Sequence, residues 1–95
     1  DIEAHITPWT KVLILNSPSN PTGGVYTKEE LKAIAQVLKG KDIWIVSVDV
    51  YHKIILKDDI EWMSIASVDE EIREKTLIVN ALSKTYSLTG WRVGY

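Results

Sequence analysis

This chain of 95 residues contains three short apolar runs. They span residues 11–16 (KVLILN), 43–48 (IWIVSV) and 76–82 (TLIVNAL). Each run is too short for a typical helix, and apolar residues fill consecutive positions instead of alternating with polar ones. This pattern predicts strands that are buried on both faces, with Trp44 in the core. Residues 92–95 predict the beginning of a fourth strand.

The segment between the first two runs predicts a helix. Thr27 and Glu30 match the T-x-x-E pattern of a capping box, in which each side chain accepts a hydrogen bond from the other residue's backbone N–H. Gly40 supplies a stop signal. Four apolar side chains between these points fall on one helical face: Leu31, Ile34, Ala35 and Leu38.

The longer segment between the second and third runs, residues 57–75, is polar and mixed. It is typical of a loop with a short helix, which we place near residues 62–66. Within it, residues 69–75 (DEEIREK) predict a solvated helical or turn segment.

Strands separated by a helix and long crossovers are typical of an α/β domain with a mostly parallel sheet flanked by helices. In such a sheet, ligands bind beyond the carboxyl ends of the strands. Three polar clusters follow these ends: residues 16–24, which include the turn-rich SPSNPTGG, residues 49–52, and residues 83–92. We therefore expect all three clusters to lie on one edge of one sheet.

Charge and composition narrow the classes of function. The net charge of −2 argues against nucleic-acid binding, which needs a basic surface. No apolar run approaches the roughly 20 residues that span a bilayer, so we expect no membrane segment. With no cysteine, a disulfide framework is excluded, and we expect a cytoplasmic setting. Because the chain begins at Asp1 and stops at Tyr95, just after a predicted strand begins, we also expect a piece of a longer protein.

The residues at the predicted sheet edge have the chemistry to bind one cofactor. A partly desolvated lysine such as Lys84 can lose its proton and attack a carbonyl to form a Schiff base. The guanidinium of Arg92 can bind phosphate oxygens bidentately. Asn20 and Tyr51 can donate hydrogen bonds to a phenolate-like oxygen. Together these groups suit pyridoxal phosphate, although each alone is more often structural.

Three motifs resemble the class I/II aminotransferases, which are fold-type I pyridoxal-phosphate enzymes. They are SPSNPTGGVY, VYHKI and SKTYSLTGWRVGY, in the family's order. The spacing S-K-x-x-x-x-x-G-x-R, with N-P-T-G upstream, is specific, and the nearest similarity is to the aspartate/aromatic aminotransferase branch. The resemblance implies that residues 1–95 are the central part of a pyridoxal-phosphate-binding large domain, without the amino-terminal phosphate loop and the carboxyl-terminal small domain.

The resemblance also implies an activity and a role for individual residues. The activity is transfer of an amino group between an amino acid and a 2-oxo acid, in a parent protein that is a homodimer. Lys84 matches the lysine that binds the cofactor covalently and moves the substrate proton. Arg92 matches the arginine that binds the cofactor phosphate, with Ser83 as an additional donor. Asn20 and Tyr51 match the donors to the phenolic oxygen of the cofactor ring.

One position departs from the family pattern. The family has an aspartate three residues before the tyrosine, where it pairs with the pyridine nitrogen, and this chain has Val48 there. Asp49 lies one residue later, so in an extended segment its side chain faces the opposite way unless a bulge turns it. This departure favours one alternative to transamination, a fold-type I protein that binds the cofactor without efficient turnover. A carbon–sulfur lyase of the same fold is a further alternative, which does not depend on Val48.

Other residues carry weaker predictions. Ala81 stands where the family usually has Ser or Gly, which removes one phosphate hydrogen bond worth about 1 kcal/mol. Gly90 predicts a tight backbone passage before Arg92, and Trp91 is expected to pack. His52 is expected to be structural or at the surface, because Lys84 already has the role of the base by resemblance. With two distant histidines and no cysteine, no zinc site is expected.

Overall fold

A computed structural model describes all residues from Asp1 to Tyr95 and contains a three-stranded parallel sheet. The strands are β1 (Val12–Asn16), β2 (Trp44–Val48) and β3 (Thr76–Val79), in the order β1-β2-β3. The register pairs residue 14 with residue 46 and residue 46 with residue 77. The prediction of an α/β fold with a parallel sheet is confirmed.

Helix α1 (Lys28–Leu38) joins the first two strands and begins at the predicted capping box. The Thr27 hydroxyl accepts a hydrogen bond from the Glu30 backbone N–H at 3.2 Å, and the Glu30 carboxylate accepts one from the Thr27 N–H at 2.8 Å. After the helix ends, Gly40 adopts a left-handed conformation with a φ of +69°, which glycine reaches without a steric penalty.

The core lies on one face of the sheet. Leu15 and Ile45 project from the strands into a cluster with the predicted apolar face of α1 and with residues of the second crossover. That crossover contains a 3₁₀ helix (Ile65–Ser67) and helix α2 (Glu70–Glu74). The side chain of Ile72 is fully buried, so residues 69–75 are not simply a solvated segment as predicted. Because the two residues on each side of Ile72 are charged, the sequence gives no sign that Ile72 is buried.

The opposite face of the sheet is open. Ile14 is 69% exposed, Leu77 is 57% exposed and Trp44 is 49% exposed, so the prediction of strands buried on both faces is wrong in this chain. The prediction of Trp44 as a core residue is also wrong. Crossovers between parallel strands are right-handed, and with the strand order β1-β2-β3 both crossovers place their helices on the same face.

The third strand ends earlier than predicted. It stops at Val79 because the Asn80 side-chain oxygen accepts a hydrogen bond from the next backbone N–H, that of Ala81, at 2.8 Å. Ala81 instead forms an antiparallel bridge with Gly94, so residues 92–95 do not begin a fourth strand of the sheet. A side chain at Gly94 would approach the Asn80 carbonyl oxygen to 3.2 Å, whereas Gly90 has open space around it, contrary to the predicted tight passage there.

An ion pair and a hydrogen bond connect the two crossovers at the far end of the sheet. The Lys39 ammonium lies 2.6 Å from the Asp69 carboxylate. This hydrogen bond lowers the pKa of Asp69 below its usual value and raises that of Lys39 above its own. Glu71 accepts hydrogen bonds from the Lys75 ammonium at 2.7 Å and from the Gly40 backbone N–H at 2.8 Å, and both lower the pKa of its carboxyl.

The longest helix has 11 residues. No helix of this structure combines the length and the apolar composition that crossing a membrane requires.

Candidate active site

The carboxyl edge of the sheet brings together side chains that are far apart in the sequence. Asn20 follows β1, and Tyr51 follows β2. The Asn20 side-chain amide donates a hydrogen bond to the Tyr51 hydroxyl at 3.1 Å. Because β1 and β2 are parallel neighbours, the segments that follow them emerge side by side, as the sequence pattern predicts.

The loop of residues 17–24 holds Asn20 at this edge. Two backbone hydrogen bonds fold the loop onto itself, from Ser19 N–H to the Gly24 carbonyl at 2.9 Å and from Gly23 N–H to the Ser19 carbonyl at 2.8 Å. Gly23 has a φ of +71°, a left-handed conformation that favours glycine. The Asn20–Pro21 and Ser17–Pro18 peptide bonds are both cis.

Lys84 approaches the same pair from the third segment. It lies in the four-residue helix α3 (Leu82–Thr85), and its ammonium nitrogen is 5.9 Å from the centroid of the Tyr51 ring. This distance is at the outer limit of a cation–π contact. The Lys84 side chain is exposed, so the desolvation expected from the sequence is not present in this chain. Ser83, directly before it, is half-buried.

Arg92 is carried by the same loop as Lys84. The antiparallel bridge between Ala81 and Gly94 closes this loop at its base, and the Asn80 and Tyr95 backbones exchange hydrogen bonds of 2.7 Å and 2.9 Å beside it. Arg92 is exposed, has a φ of +54° and donates a hydrogen bond to the Thr89 carbonyl at 2.9 Å. Four of its five N–H donors have no protein partner.

The Asp49 carboxylate forms no hydrogen bond with Asn20, Tyr51, Lys84 or Arg92. Its side chain is only 3% exposed, and its carboxylate accepts a hydrogen bond of 2.6 Å from the Ser47 hydroxyl. Strand register continues regularly to the pair Val48–Val79, and Asp49 N–H donates to the Val79 carbonyl, so no bulge turns the strand here.

A cleft of about 560 Å³ lies beside the Asn20–Tyr51 pair. It runs between the loop of residues 17–24 and the apolar segment of residues 54–60. Lys84, Arg92 and Ser83 do not line this cleft, so it is distinct from the space between Tyr51 and Lys84. No group of three or more histidine, cysteine or acidic residues is arranged to hold a metal ion.

Trp91 is largely exposed, although the sequence predicts that it packs. Its side chain is 73% exposed in the segment that carries Arg92. His52, in contrast, is partly buried and makes several contacts with neighbouring segments, which are described below.

The family model for aminotransferase class I and II matches residues 1–95. The chain belongs to this family. The chain is 50% identical to an aspartate aminotransferase of a Bacillus species (strain YM-2) over 95% of its own length. It is 48% identical to the aspartate aminotransferase of Geobacillus stearothermophilus over 99% of its length.

Solved structures of this aminotransferase family show the same architecture. The aspartate aminotransferase of Rhizobium meliloti superposes with a TM-score of 0.91 at 37% identity, over 98% of this chain and 23% of that one. An aromatic aminotransferase of Pyrococcus horikoshii superposes with a TM-score of 0.90 at 41% identity, over 98% of this chain and 24% of that one. The chain spans about a quarter of the length of the curated relatives that it matches.

The family is generally dependent on pyridoxal phosphate, and the polar groups at the sheet edge fit part of this cofactor. Asn20 and Tyr51 already share a hydrogen bond, which shows that their polar atoms converge on one point. Lys84 brings an amine to 5.9 Å from the centroid of the Tyr51 ring, and Arg92 has free donors for a phosphate. No carboxylate joins the set, because Asp49 is bonded to Ser47 and turned inward.

Proposed function

We propose that this chain is the central part of the large domain of a pyridoxal-phosphate-dependent aminotransferase. The observation that supports this proposal is the convergence of Asn20, Tyr51 and Lys84 at the carboxyl edge of a parallel sheet, in a chain that matches the family over residues 1–95. The reaction is transfer of an amino group between an amino acid and a 2-oxo acid.

Each proposed role follows from the chemistry of the side chain. When bound, the cofactor supplies an aldehyde that attaches to an amine and a ring that withdraws electrons from it. Lys84 would hold the cofactor covalently through its amine, and as a free amine it would take and return the proton of the substrate carbon. The Asn20 amide and the Tyr51 hydroxyl donate hydrogen bonds to the ring oxygen. Arg92 binds phosphate, with the hydroxyl of Ser83 as a further donor.

The proposal also covers the substrates, the cellular location and the oligomeric state of the parent protein. Its substrates are small amino acids and 2-oxo acids, and the names of the relatives direct the first tests to aspartate. We place the parent in the cytoplasm as a homodimer, with no nucleic-acid or membrane partner.

Asp49 favours a second candidate function. A protein that binds the cofactor without efficient turnover needs Asn20, Tyr51 and Lys84 but not a carboxylate at the pyridine nitrogen. Val48 supplies two methyl groups at that position, and the buried hydrogen bond between Ser47 and Asp49 keeps the neighbouring carboxylate away. A ring nitrogen without an acidic partner is a weaker electron sink.

The first test is to identify the lysine that binds the cofactor. The chain is incubated with pyridoxal phosphate, reduced with borohydride and digested, and mass spectrometry locates the added mass. We expect modification on Lys84, no specific modification in Lys84→Ala, and an unchanged pattern in Lys32→Ala, which removes an exposed lysine of α1. Modification spread evenly over surface lysines would contradict the proposal.

The second test separates the two functions. In a parent-length protein carrying this segment, stopped-flow absorbance measures the half-reaction with aspartate. For an aminotransferase with an impaired electron sink, Val48→Asp raises the rate and Asp49→Asn leaves it unchanged. A wild-type rate equal to that of Val48→Asp would show that a carboxylate at residue 48 is not needed, and the cofactor-binding candidate would be dropped.

A further inference from the structure

The Asn20–Tyr51 pair needs support from outside its own hydrogen bond. Asn20 is exposed and Tyr51 is half-buried, and a hydrogen bond between such side chains contributes little by itself. The two residues belong to separate segments, 31 positions apart. A third element must therefore fix the loop of residues 17–24 against the turn of residues 49–52.

Trp62 contacts both segments. Its indole N–H donates a hydrogen bond to the Ser17 carbonyl at 2.9 Å, at the start of the loop that carries Asn20. Its ring centroid lies 5.1 Å from that of the His52 imidazole, at an interplanar angle of 43°, within the range of aromatic pairs. Ser17 is itself buried and accepts a hydrogen bond on its hydroxyl from the Tyr26 N–H at 3.1 Å, so the indole binds a fixed part of the loop.

His52 fixes the turn next to Tyr51. Its imidazole Nδ1 lies 2.8 Å from the Asp49 carbonyl, which also accepts the His52 backbone N–H at 3.1 Å. A carbonyl only accepts, so Nδ1 carries the proton. The contact of 3.5 Å between this nitrogen and the Asn80 amide nitrogen then joins two donors and is not a hydrogen bond, since the Asn80 oxygen is engaged by the Ala81 N–H.

We propose that Trp62 and His52 are positioning residues, which hold the Asn20 amide and the Tyr51 hydroxyl at the distance that cofactor binding requires. The inference rests on the proposed function, and it assigns a role to two side chains outside the donor set. Trp62 lies in the crossover between β2 and β3, so it connects the turn of residues 49–52, at the start of this crossover, to the earlier loop of residues 17–24.

Two single variants remove one contact each. Trp62→Phe keeps an aromatic ring against His52 but loses the N–H that binds Ser17. His52→Phe keeps a ring against Trp62 but loses the donor to the Asp49 carbonyl. Trp9→Phe is the matched control, because Trp9 is 88% exposed and the chemical change is the same as at Trp62.

The first measurement is made without cofactor. In isotope-labelled full chain, the nuclear Overhauser effect between the Asn20 side-chain amide and the Tyr51 ring reports their contact. The loss of one hydrogen bond corresponds to a change of about fivefold in an equilibrium, so we expect a clearly weaker signal in both variants and a wild-type signal in Trp9→Phe. Backbone amide signals of β1 and β2 should stay in place in all three variants.

The second measurement is the affinity for pyridoxal phosphate by fluorescence titration, where we expect binding to be about fivefold weaker in Trp62→Phe and His52→Phe. A wild-type amide–ring signal in Trp62→Phe would overturn the inference. Displaced strand signals in that variant would also overturn it, because Trp62 would then be structural. If the contact weakens as expected but even wild type binds no cofactor, the positioning role stands and the proposed function fails.

Discussion

Replacement of an isoleucine by alanine should lower the stability of the fold by different amounts on the two faces of the sheet. Ile45 on β2 is fully buried, and Ile14 on β1 is 69% exposed on the open face. Both were expected to be buried from the sequence. The structure therefore predicts that Ile45→Ala is strongly destabilising and that Ile14→Ala is not.

The expected magnitudes follow from burial. Truncation of a fully buried isoleucine to alanine typically costs about 2–5 kcal/mol, because apolar contacts are lost and a cavity remains. Full burial of such a side chain is worth about 1.5–3 kcal/mol, so the roughly one third of Ile14 that is buried is worth about 0.5–1 kcal/mol. The lower strand propensity of alanine affects both sites. The difference between the two variants should therefore exceed about 1 kcal/mol.

Urea titration followed by far-UV circular dichroism provides the assay. With a slope of about 1–3 kcal/mol per molar urea, Ile45→Ala should lower the midpoint by roughly 1–5 M and Ile14→Ala by much less. The titration is run at two protein concentrations. Equal losses in both variants would refute the reasoning, and a midpoint that rises with concentration would show that the folded chain self-associates.

Three local features give further predictions. Thr27→Ala should lower the free energy of unfolding by about 1 kcal/mol in the same urea assay, with Thr27→Ser close to wild type because it keeps the cap. The lowered pKa of Asp69 means that its pair with Lys39 stabilises the fold above the usual aspartate pKa. This stabilisation is lost as pH falls through the lowered value, so stability in Asp69→Asn should vary less with pH in acid. Gly94→Ala should crowd the Asn80 carbonyl and weaken the nuclear Overhauser effect across the bridge, whereas an unchanged effect would contradict the close approach.

The elements with strong local signals could be predicted from the sequence. The capping box and the four-residue apolar face specify α1, and the consecutive apolar runs locate the strands to within a few residues. The meeting of Asn20 and Tyr51 at one edge follows from parallel strands alone. These features depend on residues close together in the chain or on a general rule of topology.

The features that sequence did not reveal depend on contacts between distant segments. Burial of Ile72 among acidic neighbours, and exposure of Trp44 within an apolar run, depend on which face the helices cover. The inward turn of Asp49 depends on a hydrogen bond to Ser47 that no spacing rule indicates. Trp62 could have been noted only as an aromatic residue in a polar crossover, because its partners lie 45 residues and 10 residues away.

The bridge between Ala81 and Gly94 also determines how the edge of the sheet moves. It closes a loop that carries both Lys84 and Arg92, and the same base is held by the paired backbones of Asn80 and Tyr95. Since neither cationic side chain is anchored elsewhere in the fold, separation of this base would release both as one cooperative unit. Under the roles proposed for Arg92 and Lys84, loss of phosphate binding and loss of the covalent amine would then be a single event with one rate.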